Sequence, residues 1–109
     1  MLKDGTAKRT QRQLLVDALM SFQSPEECEH FMSGLLSPRE FDVMAQRFNV
    51  ALNLACGKSY NEIANHIHVS SATVGKVKRA LYYSKDSKYF EKCVLRFLKN
   101  RGFCGTLPE

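Results

Sequence analysis

The stretch KSYNEIANHIHVSSATVGKVKRAL, residues Lys58–Leu81, decides the fold. Ser59 has the position of an N-cap residue, and Glu62, three residues on, completes the spacing of a capping box. Apolar residues recur at helical spacing up to a three-residue break, after which Ser70 or Ser71 can cap a second helix. The inward stripe of that second helix consists of Val74, Val77 and Leu81. Two capped helices joined by a short turn predict a helix-turn-helix over residues 59–81.

The turn between these helices carries its own constraints. Two helices that cross steeply need a small residue where their backbones approach, and Ala64 has that position. Val69 is expected to fill the gap beneath the crossing. The left-handed residue in such a turn is usually Gly, whereas here it is His68, which adopts that conformation less readily.

The outward face of the second helix is small and hydroxylic at its start and basic at its end. Such a helix fits the major groove of DNA, reading base edges with its first half while nearby Lys and Arg contact phosphates. A helical hairpin with a merely solvated face is the alternative, but such a face usually mixes Glu with Lys. We expect DNA contacts from Lys58, Ser59, Asn61, Ser70, Ser71, Ala72, Thr73, Gly75, Lys76, Lys78 and Arg79.

Length and composition limit the class of protein. A chain of 109 residues is expected to form one domain with a modest core. No apolar run approaches the roughly 20 residues of a membrane span. The first residues lack the apolar segment of a secretory signal. We therefore expect a soluble, cytoplasmic protein with no membrane partner.

The cysteines and histidines do not form a metal-binding pattern. Cys28, Cys56, Cys93 and Cys104 include no pair with the C-x₂-C spacing of zinc sites. The first three lie on or beside apolar stripes, so we expect buried, reduced thiols, and we expect Cys104 to be exposed. Neither a metal nor another cofactor is predicted.

Charge is divided unevenly along the chain. Residues 1–12 carry a net +3 and residues 13–57 a net −4, whereas residues 58–101, with ten basic against three acidic side chains, carry a net +7. The positive charge therefore lies in the N-terminal arm and in the helix-turn-helix half. This is the electrostatic pattern of a nucleic-acid-binding protein.

Sequence signals also predict the helices before the motif. Apolar spacing predicts a helix over residues 9–22, and Ser24–Glu27 and Ser37–Glu40 each have the Ser-Pro-x-Glu pattern of a helix start. The helix that follows Ser37, residues 39–56, ends before Gly57 and is apolar on two sides. We expect its second side to form a dimer interface, with a simple central core helix as the alternative. That second side consists of Val43, Val50 and Leu54.

A last helix is predicted over about residues 87–100, and it completes an all-α fold of six helices. Residues 1–8 are expected to form a disordered basic arm and residues 101–109 a flexible tail, which leaves a single domain over residues 9–100. No stretch alternates as a strand would. The inward residues of the last helix are predicted to be Phe90, Cys93, Val94, Phe97 and Leu98.

A longer stretch around the motif, residues Ala45–Leu81, reads AQRFNVALNLACGKSYNEIANHIHVSSATVGKVKRAL. Within and before it lie E-E-C at 26–28 with Phe31, A-Q-R at 45–47, G-K-S-Y-N-E-I at 57–63 and S-A-T-V-x-K-V-K-R at 71–79. These segments resemble the Trp repressor-like superfamily, in particular its branch of uncharacterised regulators called the YerC/YecD type.

The resemblance implies a fold and a function. It implies a six-helix chain that intertwines with a second copy into a homodimer, with one helix-turn-helix in each copy. It further implies a bacterial transcriptional regulator, a repressor, that binds double-stranded DNA at a palindromic operator. The two recognition helices would lie about one helical turn apart along the DNA.

The resemblance also implies an effector pocket, but an altered one. In the Trp repressor proper, an Arg on the third helix and an Arg on the recognition helix flank bound tryptophan, and a Gly follows the second. Here Arg47 matches the first Arg, Lys76 replaces the second, and Val77 replaces the Gly. Lys lacks the planar fork of Arg, and a β-branched side chain would crowd an indole. We predict that tryptophan is not the corepressor.

Two other functions fit parts of the sequence. A helix-turn-helix can be a protein-interaction module, for example with the transcription machinery, and would then show only non-specific affinity for nucleic acid. RNA binding would use exposed aromatic residues beside a basic groove, and Tyr82, Tyr83 and Tyr89 are the candidates. An enzyme is not predicted, because no nucleophile–base pair or convergent carboxylates can be assigned to one pocket.

Overall fold

The computed structural model describes residues 8–102 of the chain. These residues form six helices and, within that range, no strand, which confirms the predicted all-α fold of six helices. No helix in the described part is both long and apolar enough to cross a membrane. The helices are α1 (Gln11–Leu19), α2 (Pro25–Leu35), α3 (Pro38–Ala55), α4 (Tyr60–Ile67), α5 (Ser71–Tyr82) and α6 (Ser87–Arg101).

The helix starts are set by serine caps, as the sequence predicts. Ser37 and Ser59 each accept a hydrogen bond from the backbone N–H three residues on, at 3.1 Å, and the Glu at that position accepts one from the serine N–H. Ser24 caps α2 in the same way, although the Glu27 carboxylate accepts from the N–H of Gln23. Local hydrogen bonding therefore fixes where α2, α3 and α4 begin.

Helix α1 is shorter than the predicted span of residues 9–22. Thr10 caps it in a box with Gln13, a signal that the sequence reading missed, and the helix ends at Leu19. Helix α6 runs one residue beyond its predicted end, to Arg101, and Gly102 ends it with a positive φ of 63°. Most of the predicted arm and tail, residues 1–7 and 103–109, lies outside the described residues.

The chain divides into two compact units with the boundary between Phe41 and Asp42. The second unit contains the buried core, in which α5 packs against both α4 and α6. The core residues are Val50, Ala51, Leu52, Leu54, Ile63, Val69, Val74, Val77, Leu81, Val94 and Leu98.

The burial of helix α3 differs between its first and second halves and not between two sides of the helix. Five consecutive residues, 50–54, are buried, so the second half of the helix is enclosed on every side. Val50 and Leu54 therefore belong to the core of the same chain, and the prediction that these two residues form a dimer interface is wrong, whereas Val43 of the same predicted side is exposed. The exposed apolar residues of α3 lie in its first half instead: Val43, Met44 and Phe48.

The first unit has almost no interior of its own. No residue between 8 and 49 is buried, although Phe22 and Phe31 stack with ring centroids 5.2 Å apart. On α1 and just beyond it the apolar side chains are open to solvent, and Met20 is 82% exposed. The exposed apolar residues of this segment are Leu14, Leu15, Val16, Leu19 and Met20.

The cysteine environments differ from the prediction of buried thiols. Cys28 and Cys56 are only half-buried, and Cys93 is exposed on α6. The prediction that Cys93 points inward is wrong, because Cys93 lies at the edge of the apolar stripe of α6 and is exposed to solvent. Cys104 lies outside the described residues. No group of three potential metal ligands occurs between residues 8 and 102.

Candidate nucleic-acid interface

Helices α4 and α5 form the predicted helix-turn-helix. Only residues 68–70 separate them, and His68 adopts the left-handed conformation, with φ 61° and ψ 47°. Val69 is buried beneath the crossing, as expected. The chain changes direction sharply here because His68 at the end of α4 is left-handed and Ser70, two residues later, is extended at the start of α5.

The inner face of the motif anchors α5 to the rest of the second unit. Ile63 of α4 and Val74 and Leu81 of α5 are fully buried, and Val77 is nearly so. Because these four residues share one core with α3 and α6, the orientation of α5 is fixed from beneath. Its opposite face is consequently held out to solvent.

Ser70, and not Ser71, is the cap of α5. The Ser70 Oγ accepts from the N–H of Thr73 at 3.1 Å and lies 3.0 Å from the Thr73 Oγ1. Both hydroxyls are therefore engaged with each other at the start of the helix. Ser71, one residue on, is exposed, and its side chain is available to a partner.

The outward face of α5 combines small residues with exposed cations. Ala72, Lys76, Lys78 and Arg79 are exposed, and no described carboxylate lies within ion-pair distance of the three cations. A Cβ added to Gly75 would meet nothing within 4 Å. Internal packing therefore does not require glycine at that position, and the missing side chain leaves room for close approach of a partner.

The start of α4 lies beside the start of α5. Lys58 is half-buried, Asn61 is exposed, and Ser59 is occupied in its capping box with Glu62. Hydrogen bonds from the backbone N–H and from the side chain of Ser59 lower the pKa of the Glu62 carboxyl. Glu62 is thus a carboxylate at neutral pH with a structural partner.

Tyr60 is a functional candidate that the sequence reading missed. Its hydroxyl donates a hydrogen bond to the backbone carbonyl of Ser71, which links the first turn of α4 to the first turn of α5. The only signal in the sequence was an aromatic residue directly after a cap. Tyr60 acts through another element, and its role is to position the first turn of α5.

A pocket of about 340 Å³ lies between α3, α5 and α6. It brings Arg47 of α3 together with Lys76 and Val77 of α5, the three residues of the predicted effector site, although Arg47 is distant from the other two in sequence. Its walls are otherwise apolar, and the two cations are its only charged lining residues. The remaining lining residues are Met44, Phe48, Ala80 and Phe90.

The six helices and the exposed basic helix define a helix-turn-helix protein. The sequence model of the family described as Trp repressor protein matches residues 10–96 of the chain. The chain therefore belongs to the Trp repressor family, which confirms the resemblance inferred from the sequence. The family also makes a DNA-binding regulator the general class of this protein.

Individual relatives agree with this assignment. The uncharacterised protein YerC of Bacillus subtilis (strain 168) is 36% identical over 73 residues, which cover 67% of this chain and 70% of YerC. A candidate Trp repressor from Staphylococcus aureus is 28% identical, with a TM-score of 0.68 over 82% of this chain and 83% of that one. A TrpR-like protein from Eubacterium eligens ATCC 27750 is 27% identical, with a TM-score of 0.71, and the match covers 93% of this chain and 96% of that one.

Proposed function

We propose that the protein is a sequence-specific DNA-binding transcriptional regulator that uses α5 as its recognition helix. The observation that carries this proposal is the outward face of α5, which has exposed cations without partners and a glycine that internal packing does not require. A helix whose inner face is packed in the core and whose cationic face is exposed to solvent can enter the major groove of DNA.

Roles follow from the position of each residue on the motif. Ser71, Ala72, Thr73 and Gly75 lie on the first half of α5 and would approach the base edges closely. Lys76 and Arg79 would donate to bases or phosphates. Lys58 and Lys78 would hold phosphates, and Ser59, Asn61 and Ser70 would contact the backbone near the helix starts.

The proposed regulator is a homodimer. Apolar side chains are exposed in the single chain both on α1 and, separately, on the first half of α3. Since no residue between 8 and 49 is buried in the single chain, this segment needs a partner to bury its apolar side chains. A second copy supplies a matching surface by symmetry.

A symmetric dimer favours a palindromic operator with two half-sites about one helical turn apart. We infer that the protein represses transcription, because relatives of this fold are named as Trp repressors. A regulator of this kind acts on the chromosome, so the cytoplasm is the proposed location.

The pocket beside Lys76 is the proposed effector site. Two cations in the lining of an otherwise apolar pocket suit a small anionic molecule with an apolar body. Tryptophan is not the proposed effector, because Lys76 cannot make the bidentate contact of Arg and Val77 occupies space next to it.

A protein-interaction module is the second candidate function. Tyr83 is 74% exposed and Tyr89 70% exposed, and both lie near the junction of α5 and α6. Exposed tyrosines of this kind are enriched at protein interfaces. This function predicts DNA binding without sequence preference.

Substitution of Arg79 tests the proposal. If Arg79 reads a guanine, Arg79→Ala weakens binding of the preferred duplex by about 1–3 kcal/mol and removes the preference at one base pair. Lys78→Ala is the matched control, and it should weaken all duplexes alike. A loss in Arg79→Ala that is uniform across sequences would assign Arg79 to phosphate contact. Unchanged binding in both variants would contradict the proposed function.

A further inference from the structure

Helix α6 carries a second cationic surface, separate from the face of α5. Lys88, Lys92, Arg96 and Lys99 follow one another at intervals of four, four and three residues, and all four are exposed. At 3.6 residues per turn they fall within an arc of about 80° and extend over about 16 Å of the helix. We call these four residues the α6 stripe.

The stripe has no part in the packing of α6. The core is contacted from the opposite side of the helix, where Val94 is 1% and Leu98 3% exposed and Phe90 and Phe97 are half-buried. Folding therefore sets no requirement on the residues of the stripe beyond helix propensity.

The stripe is also not neutralised within the described part of the chain. None of its four cations has a carboxylate within ion-pair distance there. Like charges four residues apart on one helix face destabilise that helix slightly, and alternation with Glu would have stabilised it. Glu91, the one acidic residue of α6, makes no ion pair with the four cations, so the like charges along this face are not balanced within the helix, which points to an external anion.

We propose that the α6 stripe is a second DNA-binding surface, which holds the phosphate backbone of duplex DNA without regard to sequence. Duplex DNA carries one charge per about 1.7 Å, so a segment as long as the stripe offers about ten charges. Proteins that bind single strands alternate cations with several stacking rings, whereas here Tyr89 alone borders the stripe. The inference rests on the proposed DNA-binding function, and it adds a second surface to it.

The test is the salt dependence of binding to an unrelated duplex, measured with the full chain. Lys88, Lys92, Arg96 and Lys99 are all changed to Gln, which keeps helix propensity and removes the charge. The slope of log K against log salt should decrease by about 0.9 for each lost contact, or about 3.6 for four. Between about 50 and 200 mM salt the parent should then lose about 150-fold more affinity than the variant.

Two controls separate a local contact from net charge. Changing Lys88, Lys92 and Lys99 to Arg keeps the charge and should preserve the slope. The triple change His30→Glu, Ser33→Glu and Arg39→Glu lowers the net charge by four units at exposed positions of α2 and α3. This triple variant should have a slope near that of the parent. A decrease equal to that of the Gln variant would overturn the proposal.

Other results have equally definite meanings. An unchanged slope in the Gln variant, with the helix content intact, would overturn the second surface. Tighter binding of single-stranded RNA, lost in the same variant, would overturn the assignment to duplex DNA. A separate variant tests the proposed function itself. If α5 does not read DNA sequence, the double change Lys76→Gln and Arg79→Gln leaves sequence preference unchanged, and this result does not depend on the α6 stripe.

Discussion

The left-handed residue of the turn, His68, allows a clean test of what defines the helix-turn-helix. His68 has a φ of 61°, and it is the one described non-glycine residue with a positive φ. Its side chain is exposed, so substitution removes little packing. Changes at this position therefore report mainly on the backbone conformation.

The magnitude follows from two opposing effects. The left-handed conformation costs an ordinary L-residue about 1–2 kcal/mol, which Gly does not pay. Gly loses more chain entropy on folding, by about 0.5–1 kcal/mol. His68→Gly should therefore stabilise the protein by about 0.5–1 kcal/mol and raise its Tm by a few degrees. His68→Val, with a β-branched side chain, should destabilise it by about 1–2 kcal/mol.

Denaturant and thermal unfolding measure the effect, at one fixed protein concentration because the unfolding midpoint of the proposed dimer would depend on concentration. The denaturant m-value should be the same in all variants, since the folded surface is unchanged. His66→Gly, at an exposed position in the last turn of α4, is the comparison variant and should destabilise the protein, because Gly has a lower helix propensity than His. Destabilisation by His68→Gly equal to that of His66→Gly would refute the reasoning.

Three further predictions concern the cap, the pH dependence and the pocket. Ser70→Ala should lower the free energy of unfolding by about 1 kcal/mol, whereas Ser71→Ala should change it little; equal effects would contradict the assignment of the cap. The folded-state pKa of Glu62 is lowered, so its charge stabilises the fold above the unfolded pKa and the gain is lost as pH falls through the folded pKa. Glu62→Gln should thus be less stable than the parent at neutral pH, and the difference in denaturant midpoints should shrink as pH falls through the folded-state pKa of Glu62; a difference that does not change with pH would contradict a role for the charge. Calorimetry should detect no tryptophan binding to the parent, and Lys76→Arg with Val77→Gly is the variant designed to gain it; micromolar affinity in the parent would sink the prediction.

The fold could be predicted in outline because its boundaries depend on short-range signals. Ser24, Ser37 and Ser59 cap their helices through bonds to residues only three positions away, and the sequence displays that spacing directly. The same holds for the inward stripe of α5. The cap of α1 could not be recognised in the same way, because Thr10 pairs with Gln13 and lacks the Ser-x-x-Glu spacing of the other three helix starts.

The burial of α3 could not be predicted, because it depends on which elements surround each half of the helix. An apolar pattern on two sides is compatible with a core position or with an interface. The structure encloses residues 50–54, including Asn53, whose side-chain amide bonds back to the Asn49 carbonyl at 2.8 Å. The inward prediction for Cys93 is wrong for a related reason, since a residue at the edge of an apolar stripe can be either buried or exposed.

The candidate site was predicted in two different ways. The cations of α5 follow from the residue pattern alone, because a helix buried on one face must expose the other. Arg47, Lys76 and Val77 could be grouped only through the resemblance to the family, since nothing in their spacing brings α3 and α5 together. The bond from Tyr60 to Ser71 depends on the crossing of α4 and α5, which short-range patterns do not encode.

The central claim is that α5 reads DNA sequence from a symmetric dimer. The most direct test is selection of the full chain against randomised duplex DNA, followed by competition between the selected duplex and a scrambled one. We predict an enriched palindrome whose half-sites are about 10 base pairs apart, bound at least about a thousandfold more tightly than the scrambled duplex. No enrichment and equal affinity for both duplexes, with or without a metabolite pool, would contradict the claim.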